Sequence, residues 1–509
     1  MSRLITSYPE RSALITAFFI YLLLVGVNFF LIKNINSSFF TYTIDDPYIH
    51  LSLAENIRNF HYGINQNEYS SPSSSIIYSL IFVPFIYYEF AVYLPLLVNI
   101  VGSIGILFFF WKLFILIFSE IILDNHKKYI IISSFLIIII LAGNLVYSTF
   151  RGMEHSLQAL TSVAMIWGII NFILHKKVSG IFYVSAIISP LVRYENLALT
   201  FLLLLYLFIH KQKRILWIVI IISFFLIGFS LFLVQLGLEP LPLSVLRKSK
   251  LPDNNLVEVF FNQSTVILLL FLTFFFNYIR ISRSNKSENF LSGIISLVII
   301  IHIGLGMSGR YTEYLIITAL FVLIFLYRNV ITSFLTGKPG KKLLVLIAVT
   351  ILIFYKQTAS VFLIPFAANN IFEQQYQMHR FASEYYKKPI AVNDIGYVSF
   401  RNDNYVLDLY GLSSLESYRY WNSQNDFNWM DSLVLKHKVN LIMIYEGWFK
   451  SIPQNWRKVA ELHLGNIKIT ASGRVVSFFI RDISYYNEVK RLLCDFKETL
   501  PGKTKLILF

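Results

Sequence analysis

The chain has 509 residues, of which 56% are hydrophobic and only 14% are charged, and its mean hydropathy is +0.61. Soluble globular proteins rarely reach these values, so the composition predicts a polytopic membrane protein whose surroundings are a lipid bilayer. The formal net charge is +15, but the basic residues stand in short clusters between apolar runs, where membrane topology explains them, so no nucleic-acid partner is expected. A single cysteine, Cys494, excludes both an intramolecular disulfide and a thiolate metal cluster.

The first apolar run, 12–32, is longer than the core of a signal peptide, and no small-residue cleavage site follows it, so we interpret it as a retained membrane helix. Two later segments are ambiguous: 76–90 is short and contains Pro84, and 178–209 exceeds one span and carries the charged letters RYEN in its middle. The other runs long enough to cross a bilayer are 91–118, 129–147, 156–174, 213–236, 264–282, 290–307, 311–327 and 341–365.

The positive-inside rule resolves the two ambiguous segments. If 76–90 does not cross, and 178–209 forms two short helices joined outside at 193–196, the basic clusters such as Lys127 with Lys128 all fall on the cytoplasmic side. This assignment predicts an α-helical polytopic protein with about eleven transmembrane helices. It also predicts a cytoplasmic amino terminus and an outer location for everything after about Phe366.

Five polar stretches then fall on the outer side, and four of them were not used to make the assignment. Ionisable groups beside a bilayer are costly and are usually functional, so their convergence predicts a site, the alternative being that loops are simply polar. The stretches are TIDDPYIH, FRGMEHS, LVRYENL, PLPLSVLRKSKLP and MSGRYTEY.

The last part of the chain changes in composition, and we predict a transmembrane domain over 1–366 followed by an extracytoplasmic α/β domain over 367–509. PIAVNDIGYVSF, NYVLDLYGL, VNLIMIYEGWF and RVVSFFIRDI are typical of strands, and DFNWMDSLVLKHK is typical of a helix between two of them. The domain would be either a substrate-facing cap or a purely structural lid.

Two adjacent aspartates, Asp45 and Asp46, precede the stretch PYIHLSLAENIRNF. Pro47 favours the first turn of a helix and Asp46 is placed to cap it, so we predict an amphipathic helix on the outer surface. Asp46 could serve only as that cap, whereas Asp45 could have a raised pKa and act as a general base. The pair could also hold a divalent cation, although no third ligand accompanies it in the sequence. His50 and His61 are expected to be packing groups.

The stretch DDPYIHLSLAENI with HYGINQNEYSSPSSS resembles the first extracytoplasmic loop of the polyprenyl-phosphate-sugar-dependent GT-C glycosyltransferases, which include the mycobacterial-type arabinofuranosyltransferases. RGMEHSLQAL is similar to the Gly-Met-Glu-Thr element of that group, SPLVRYENLAL to its Arg-Pro-Glu-Gly element and LPLSVLRKSKL to its Pro-Asn-Thr-x-x-x-Lys loop. SGRYTEYLI is similar to the late Arg-Tyr element, and VNDIGYVSF to the Asp-Ile-Gly start of the outer domain. The resemblance covers about 41–412. The residues that depart from the pattern, and so leave the sugar open, are His155, Tyr194, Asn196, Leu243 and Ser244.

The resemblance implies a glycosyltransferase of the bacterial inner (cytoplasmic) membrane. Such an enzyme moves a sugar from a polyprenyl-phosphate donor to a cell-envelope glycan or a lipid-linked acceptor on the extracytoplasmic face, with inversion. Asp45 and Asp46 would then be catalytic, and no cofactor is implied beyond the divalent cation considered above. The predicted substrate-binding residues are Glu154, His155, Arg193, Glu195, Arg247, Lys248, Lys250 and Arg310.

Several alternatives stay open at this point. The basic loop VLRKSK, with Arg310 as a further cation, suits a phosphate at the membrane surface, and the alternative is that it attracts anionic lipid headgroups. Glu154, Arg193 and Glu195 either order the site and contact the sugar or form a structural ion pair between short helices. Other functions are a lipid or polysaccharide transporter (flippase), which should show repeats and mid-membrane charges, and a non-catalytic envelope assembly protein.

Overall fold

A computed structural model describes residues 8–118, 124–248, 264–280, 286–305, 309–335, 339–423 and 428–509. The chain forms a bundle of helices, followed by a domain built on one six-stranded sheet. The first ten helices are α1 Pro9–Ile35, α2 Asp46–Arg58, α3 Tyr78–Phe82, α4 Leu94–Phe118, α5 Asn125–Ala142, α6 Leu145–Arg151, α7 His155–His175, α8 Gly180–Val192, α9 Asn196–Ile209 and α10 Ile215–Gln235. The next seven are α11 Leu243–Lys248, α12 Ser264–Arg280, α13 Lys286–Gly304, α14 Glu313–Leu326, α15 Arg328–Leu335, α16 Pro339–Ile353 and α17 Tyr355–Glu373.

Seven helices in the described part of the chain are long and apolar enough to cross a membrane, by length and composition alone. Two helices joined at a 71° bend, Ile347–Ile353 and Tyr355–Tyr386, make an eighth candidate if they are counted as one span. Three further apolar helices are shorter, with 10–17 residues each. These features are those of a helical membrane protein, and the expected eleven crossings stay a prediction. The seven segments are Pro9–Ile35, Glu89–Phe118, Asn125–Ala142, His155–His175, Ile215–Gln235, Lys286–Gly304 and Gly309–Leu326.

The two ambiguous segments adopt the structures that the charge pattern favoured. Residues 76–90 contain only α3 and short 3-10 turns, and 178–209 divides into α8 and α9 with a break at 193–195. Two other apolar runs are interrupted. The run 341–365 is bent at Phe354, and the helix that begins the run 129–147 ends at Ala142, because Gly143 and the left-handed Asn144 (φ 55°) turn the chain.

Helix α2 is not the surface helix that its sequence predicted. Nine of its thirteen residues are buried, because the bundle covers one side and the sheet domain covers the other. Ile49 belongs to the core of the sheet domain, whereas Tyr48 and Leu51 belong to the core of the bundle. Asp45 rather than Asp46 stands at the N-cap position, and its side chain makes no capping bond. The helix therefore packs between the helix bundle and the sheet domain.

The sheet has the strand order β2-β1-β3-β5-β4-β6. The strands β2, β1 and β3 are parallel to one another, and the remaining neighbours are antiparallel. Apolar cores cover both faces of the sheet, which explains why its central strands are almost continuously apolar. The strands are β1 Ile390–Val392, β2 Val406–Asp408, β3 Leu441–Ile444, β4 Arg457–His463, β5 Val475–Ile480 and β6 Lys505–Leu508. The helices of this domain are α18 Gln375–Arg380, α19 Gly396–Ser399, α20 Leu415–Ser423, α21 Asn428–Lys436 and α22 Tyr486–Lys497.

Four predicted strands match β1, β2, β3 and β5, and the predicted helix matches α21, so the α/β character of the last domain is confirmed. The sequence did not predict β4, β6 or α22. Helix α17 runs through the predicted domain boundary at 366, and its end is fixed to the sheet domain. Glu373 accepts hydrogen bonds from the backbone amides of Gly465 (2.8 Å) and Asn466 (3.3 Å).

Candidate functional site

Asp45 joins the helix bundle to the sheet domain. Its Oδ2 accepts a hydrogen bond from the backbone amide of Gly396 at 2.6 Å, and its Oδ1 accepts one from the amide of Tyr397 at 2.8 Å. The side chain is only 5% exposed. A Cβ atom at position 396 would lie 2.2 Å from the Asp45 carbonyl oxygen, so this approach of α19 to the start of α2 requires glycine.

Asp394 completes a pair of carboxyl groups with Asp45. Burial and the neighbouring Asp394 raise the pKa of Asp45 well above its ordinary value. Burial also raises the pKa of Asp394 to about 6, with the charge of Asp46 adding to the rise and the hydrogen bond from Gln375 (2.8 Å) opposing it. Two carboxyl groups so close hold a proton between them more readily than both ionise. Sequence reasoning identified the Asp-Ile-Gly element that contains Asp394 but did not count Asp394 among the site residues.

Asp46 is the more accessible of the two adjacent aspartates. Its side chain is 26% exposed, and its Oδ2 lies 2.5 Å from Nη2 of Arg310. Arg310 also donates to the hydroxyl of Tyr311 at 3.1 Å. The carboxylate open to an incoming molecule is therefore that of Asp46, whereas the sequence favoured Asp45 as the base.

Glu154 is the centre of a buried polar cluster. Its Oε1 accepts from Nη1 of Arg193 at 2.6 Å and from Ser74 at 3.3 Å, and its Oε2 lies 3.3 Å from Nε2 of His50. Burial alone would raise the pKa of Glu154, but the charge of Arg193 and the hydrogen bond from His50 hold it well below its ordinary value. Arg193 also donates two hydrogen bonds to Glu195, at 3.1 and 2.6 Å.

Burial separates the members of this cluster from bulk solvent. Glu154 and Arg193 are 0% and 1% exposed, and the side chain of Glu195 is 15% exposed. Of the two alternatives for these residues, the buried ion pair describes the geometry, and it fixes the break between α8 and α9 to the start of α7. That these residues order a site or contact a sugar stays a prediction.

His50 is a buried, hydrogen-bonded packing group, as the sequence predicted, but its place in this cluster was not predicted. Its Nδ1 lies 3.0 Å from the hydroxyl of Ser79 and 3.3 Å from that of Ser73. The available signal was spacing, because residues four apart on a helix share a face and His50 follows Asp46 by one turn. His155 is 2% exposed, and neither of its ring nitrogens has a hydrogen-bond partner in the described part of the chain.

Tyr311 connects the two groups of charged residues. The guanidinium carbons of Arg193 and Arg310 each lie 5.2 Å from the centroid of its ring. The Asp46–Arg310 pair and the Glu154–Arg193 pair are thus neighbours in one site. Residues from four of the five polar stretches of the sequence meet here.

A cavity of about 210 Å³ with cationic walls adjoins Arg310. Arg151 and Lys356 also line it, together with Glu313, whose Oε2 lies 2.6 Å from Nη1 of Arg151. Asn144 donates to the other oxygen of Glu313 at 2.7 Å. Arg151 and Glu313 stand inside two of the polar stretches, but sequence reasoning singled out neither of them.

Arg247, which the sequence predicted to bind phosphate, contacts aromatic rings of the sheet domain instead. The guanidinium of Arg247 stacks on the rings of Tyr410 and Trp421 in the sheet domain, at 4.6 and 4.4 Å from their centroids. Lys250 and the side chain of Lys248 lie outside the described residues. Among the predicted cations in the described part of the chain, Arg310 is the one that contacts Asp46.

The residues present do not fit a divalent cation. Both oxygens of Asp45 accept backbone amides, and Asp46 is paired with Arg310. No group of three or more His, Cys, Asp and Glu side chains suited to a metal ion occurs in the described part of the chain.

The fold and this junction define a class, a helical membrane protein with a sheet domain packed over a charged site at one end of the bundle. Residues 369–479 match a family model described as Domain of unknown function (DUF8728). The matched segment runs from the end of α17 through β5 and contains Asp394 and Gly396. The search of curated proteins finds no match to this chain.

Proposed function

We propose that this protein is a membrane glycosyltransferase that moves a sugar from a polyprenyl-phosphate donor to a glycan or lipid-linked acceptor of the cell envelope. The observation that carries the proposal is the partly exposed carboxylate of Asp46 next to the cationic cavity lined by Arg310, Arg151 and Lys356. A proton acceptor and an anion-binding cavity side by side are what displacement of a phosphate leaving group requires. The reaction takes place on the extracytoplasmic face, in the bacterial inner membrane.

The reaction proceeds by direct displacement at the anomeric carbon. The acceptor hydroxyl forms the new glycosidic bond as the bond from the anomeric carbon to the phosphate oxygen breaks, and the configuration inverts. The hydroxyl proton passes to the carboxylate of Asp46. The polyprenyl phosphate leaves with one more negative charge than it had in the donor, and Arg310, Arg151 and Lys356 stabilise that charge in the cavity.

The remaining residues position the reacting groups. Asp45 orients the first turn of α2 through the amides of Gly396 and Tyr397. The Glu154–Arg193 pair holds Tyr311, and with it Arg310, from the opposite side. Asp46 rather than Asp45 is thus the base in this proposal.

An apolar groove supports the use of a lipid-linked donor. It has a volume of about 310 Å³ and is lined by Ile57, Phe60, Tyr62, Phe229 and Phe232 among others. The last two belong to α10, the least buried of the seven candidate spans, so the groove lies against the part of the bundle most exposed to lipid. The isoprenoid chain of the donor occupies this groove.

Genetic complementation tests the proposal even while the identity of the sugar is open. Envelope glycans are compared by mass spectrometry in cells that lack the protein and in cells complemented with wild type, Asp46→Asn or the exposed control Asp495→Asn, at matched membrane levels. We expect wild type and the control to restore a missing sugar and Asp46→Asn to restore less than about 1% of it, since loss of a general base costs about 10²–10⁴ in rate. Full restoration by Asp46→Asn would contradict the proposal.

A further inference from the structure

A cavity of about 210 Å³ lies between the bundle and the sheet domain, at the loop that follows α1, and we call it the aromatic cavity. Residues 38–40 and 92–93 form its bundle wall, and its sheet-domain wall includes Tyr397 and Arg401. Five of its nine described lining residues are phenylalanine or tyrosine, so its walls are largely apolar. It shares no described lining residue with the cationic cavity or the apolar groove, and the proposed reaction takes place elsewhere.

The aromatic cavity lies at the level where the first two candidate spans meet the membrane surface. The span Pro9–Ile35 ends just before its bundle wall, and the span Glu89–Phe118 begins within that wall. The ring of Tyr93 lies 5.3 Å from that of Phe40 and 5.9 Å from that of Phe29, so both span ends stand at one end of the bundle. Span ends mark the depth of the lipid headgroups, where tyrosine is enriched.

Exposed aromatic rings stand around the cavity. The side chain of Phe39, which lines it, is 51% exposed. Tyr88 and Phe90, on the segment that leads into the bundle wall, are 59% and 45% exposed, and their rings stack at 5.3 Å. Segment 70–93 contains Glu89 as its single charged residue. Acyl chains and headgroups of a bilayer would cover this uncharged aromatic surface.

Arg401 gives the cavity its charge. The described lining residues include this arginine and no aspartate or glutamate, so the cavity favours an anionic ligand over a cationic one. The guanidinium donates a hydrogen bond to the backbone carbonyl of Tyr88 at 3.0 Å and forms no ion pair with a carboxylate in the described part of the chain. The carboxylate of Glu55 binds the backbone amide of Arg401 instead, at 3.2 Å. Free guanidinium donors suit the oxygens of a phosphate group.

Ser38 adds a hydroxyl donor from the other wall. It is exposed, lines the cavity and belongs to the bundle, whereas Arg401 belongs to the sheet domain. A phosphate bound by both residues would therefore link the two domains at the membrane surface.

We propose that the aromatic cavity binds the headgroup of an anionic membrane phospholipid, with its phosphate between Arg401 and Ser38 and its acyl chains against Phe39 and Phe90. This lipid is a structural ligand and takes no part in the reaction, so its binding does not rest on the proposed sugar transfer.

Native mass spectrometry of the full chain in detergent micelles tests this proposal. The protein is titrated with phosphatidylglycerol, with phosphatidylcholine of the same acyl chains, or with glycerol phosphate. We expect the first phosphatidylglycerol to bind wild type about tenfold more tightly than Arg401→Gln, since the variant loses a charge-assisted hydrogen bond to phosphate. Ser38→Ala should bind it about threefold more weakly than wild type while it keeps the contact of Arg401 with Tyr88.

Arg491→Gln is the matched control, because Arg491 is also an exposed arginine of the sheet domain but does not line the cavity. The control should bind phosphatidylglycerol like wild type. Thermal unfolding in nanodiscs gives a second measurement. Adding phosphatidylglycerol to phosphatidylcholine nanodiscs should raise the unfolding midpoint of wild type and of the control more than that of Arg401→Gln, because a ligand of the folded state stabilises it.

Three results would overturn the proposal. The first is equal binding of phosphatidylglycerol by wild type, Arg401→Gln and Ser38→Ala. The second is binding of phosphatidylcholine to wild type as tightly as phosphatidylglycerol, which would exclude selection for an anionic lipid. The third is displacement of phosphatidylglycerol by an equal concentration of glycerol phosphate, which would assign the cavity to a soluble phosphate compound.

Discussion

Two adjacent aspartates of one sequence motif lie in opposite environments. Asp45 is almost fully buried and accepts two backbone amides, whereas Asp46 is partly exposed and pairs with Arg310. Neighbouring residues at the start of a helix point about 100° apart, so one can face the sheet domain while the other faces the cationic cavity. Asp45 therefore fixes the junction of the two domains, and in the proposed reaction Asp46 is the proton acceptor.

Asp45→Asn should weaken the junction between bundle and sheet domain. An amide nitrogen would replace one of the two acceptor oxygens and face a backbone N–H of Gly396 or Tyr397, which would leave a buried donor unsatisfied. We expect a loss of about 1–3 kcal/mol in the free energy of unfolding. Thermal unfolding in nanodiscs measures it, with Asp495→Asn as the exposed control, and an unchanged midpoint for Asp45→Asn would contradict the assignment.

Glu154→Gln should be far more damaging than loss of an exposed partner. It leaves the buried Arg193 with Glu195 alone, and breaking a buried ion pair on one side costs about 3–5 kcal/mol. Glu416→Gln, which removes the exposed partner of Lys436, should cost less than about 1 kcal/mol. Denaturant unfolding of the two variants compares these costs, and equal losses would argue against a structural role for Glu154.

At the scale of elements, the central feature is the contact of α19 with the start of α2. Gly396→Ala would place a methyl group within 2.2 Å of a backbone oxygen, and neither backbone can move away without separating the two helices. We expect a loss of about 1–3 kcal/mol in the free energy of unfolding, together with loss of the proposed sugar transfer. Gly447→Ala, where nothing lies within 4 Å of the new Cβ, should be neutral in thermal unfolding. If both variants unfold at the wild-type temperature, the contact is looser than described.

The elements themselves were largely predictable, and their packing was not. Apolar runs located the long helices, the letters RYEN located the break between α8 and α9, and alternating apolar segments located four strands. The polarity of α2 suggested a surface helix, because a single sequence does not reveal that another domain covers its polar face. For the same reason Asp394, which is about 350 residues from Asp45 along the chain, was missed as a site residue. A contact between residues so far apart along the chain leaves no pattern in the local sequence of either one.

At the scale of the whole molecule, the carboxyl pair between the two domains makes their association depend on pH. The folded-state pKa of Asp394, about 6, lies above the ordinary value of about 3.9. Because the pKa of Asp394 is higher in the folded state, binding of its proton stabilises the folded protein. This stabilisation is complete at a pH below the unfolded-state pKa, and it is lost as the pH rises through about 6. We therefore expect wild type to lose thermal stability relative to Asp394→Asn between about pH 4 and about pH 7. The measurement is the difference between the two unfolding midpoints at each pH. A difference that is constant across this range would contradict the shared proton.

The most direct test of the central claim is reconstituted transfer with material from cells that lack the protein. Their lipid extract supplies the unused donor and their envelope glycan supplies the unmodified acceptor, so neither has to be identified first. We predict that purified wild-type protein in nanodiscs increases the mass of the acceptor by one or more sugar units and releases an equal amount of polyprenyl phosphate, whereas Asp46→Asn does neither. Unchanged donor and acceptor with the wild-type protein, alongside export of the lipid across reconstituted vesicles, would contradict the account and assign the chain to transport.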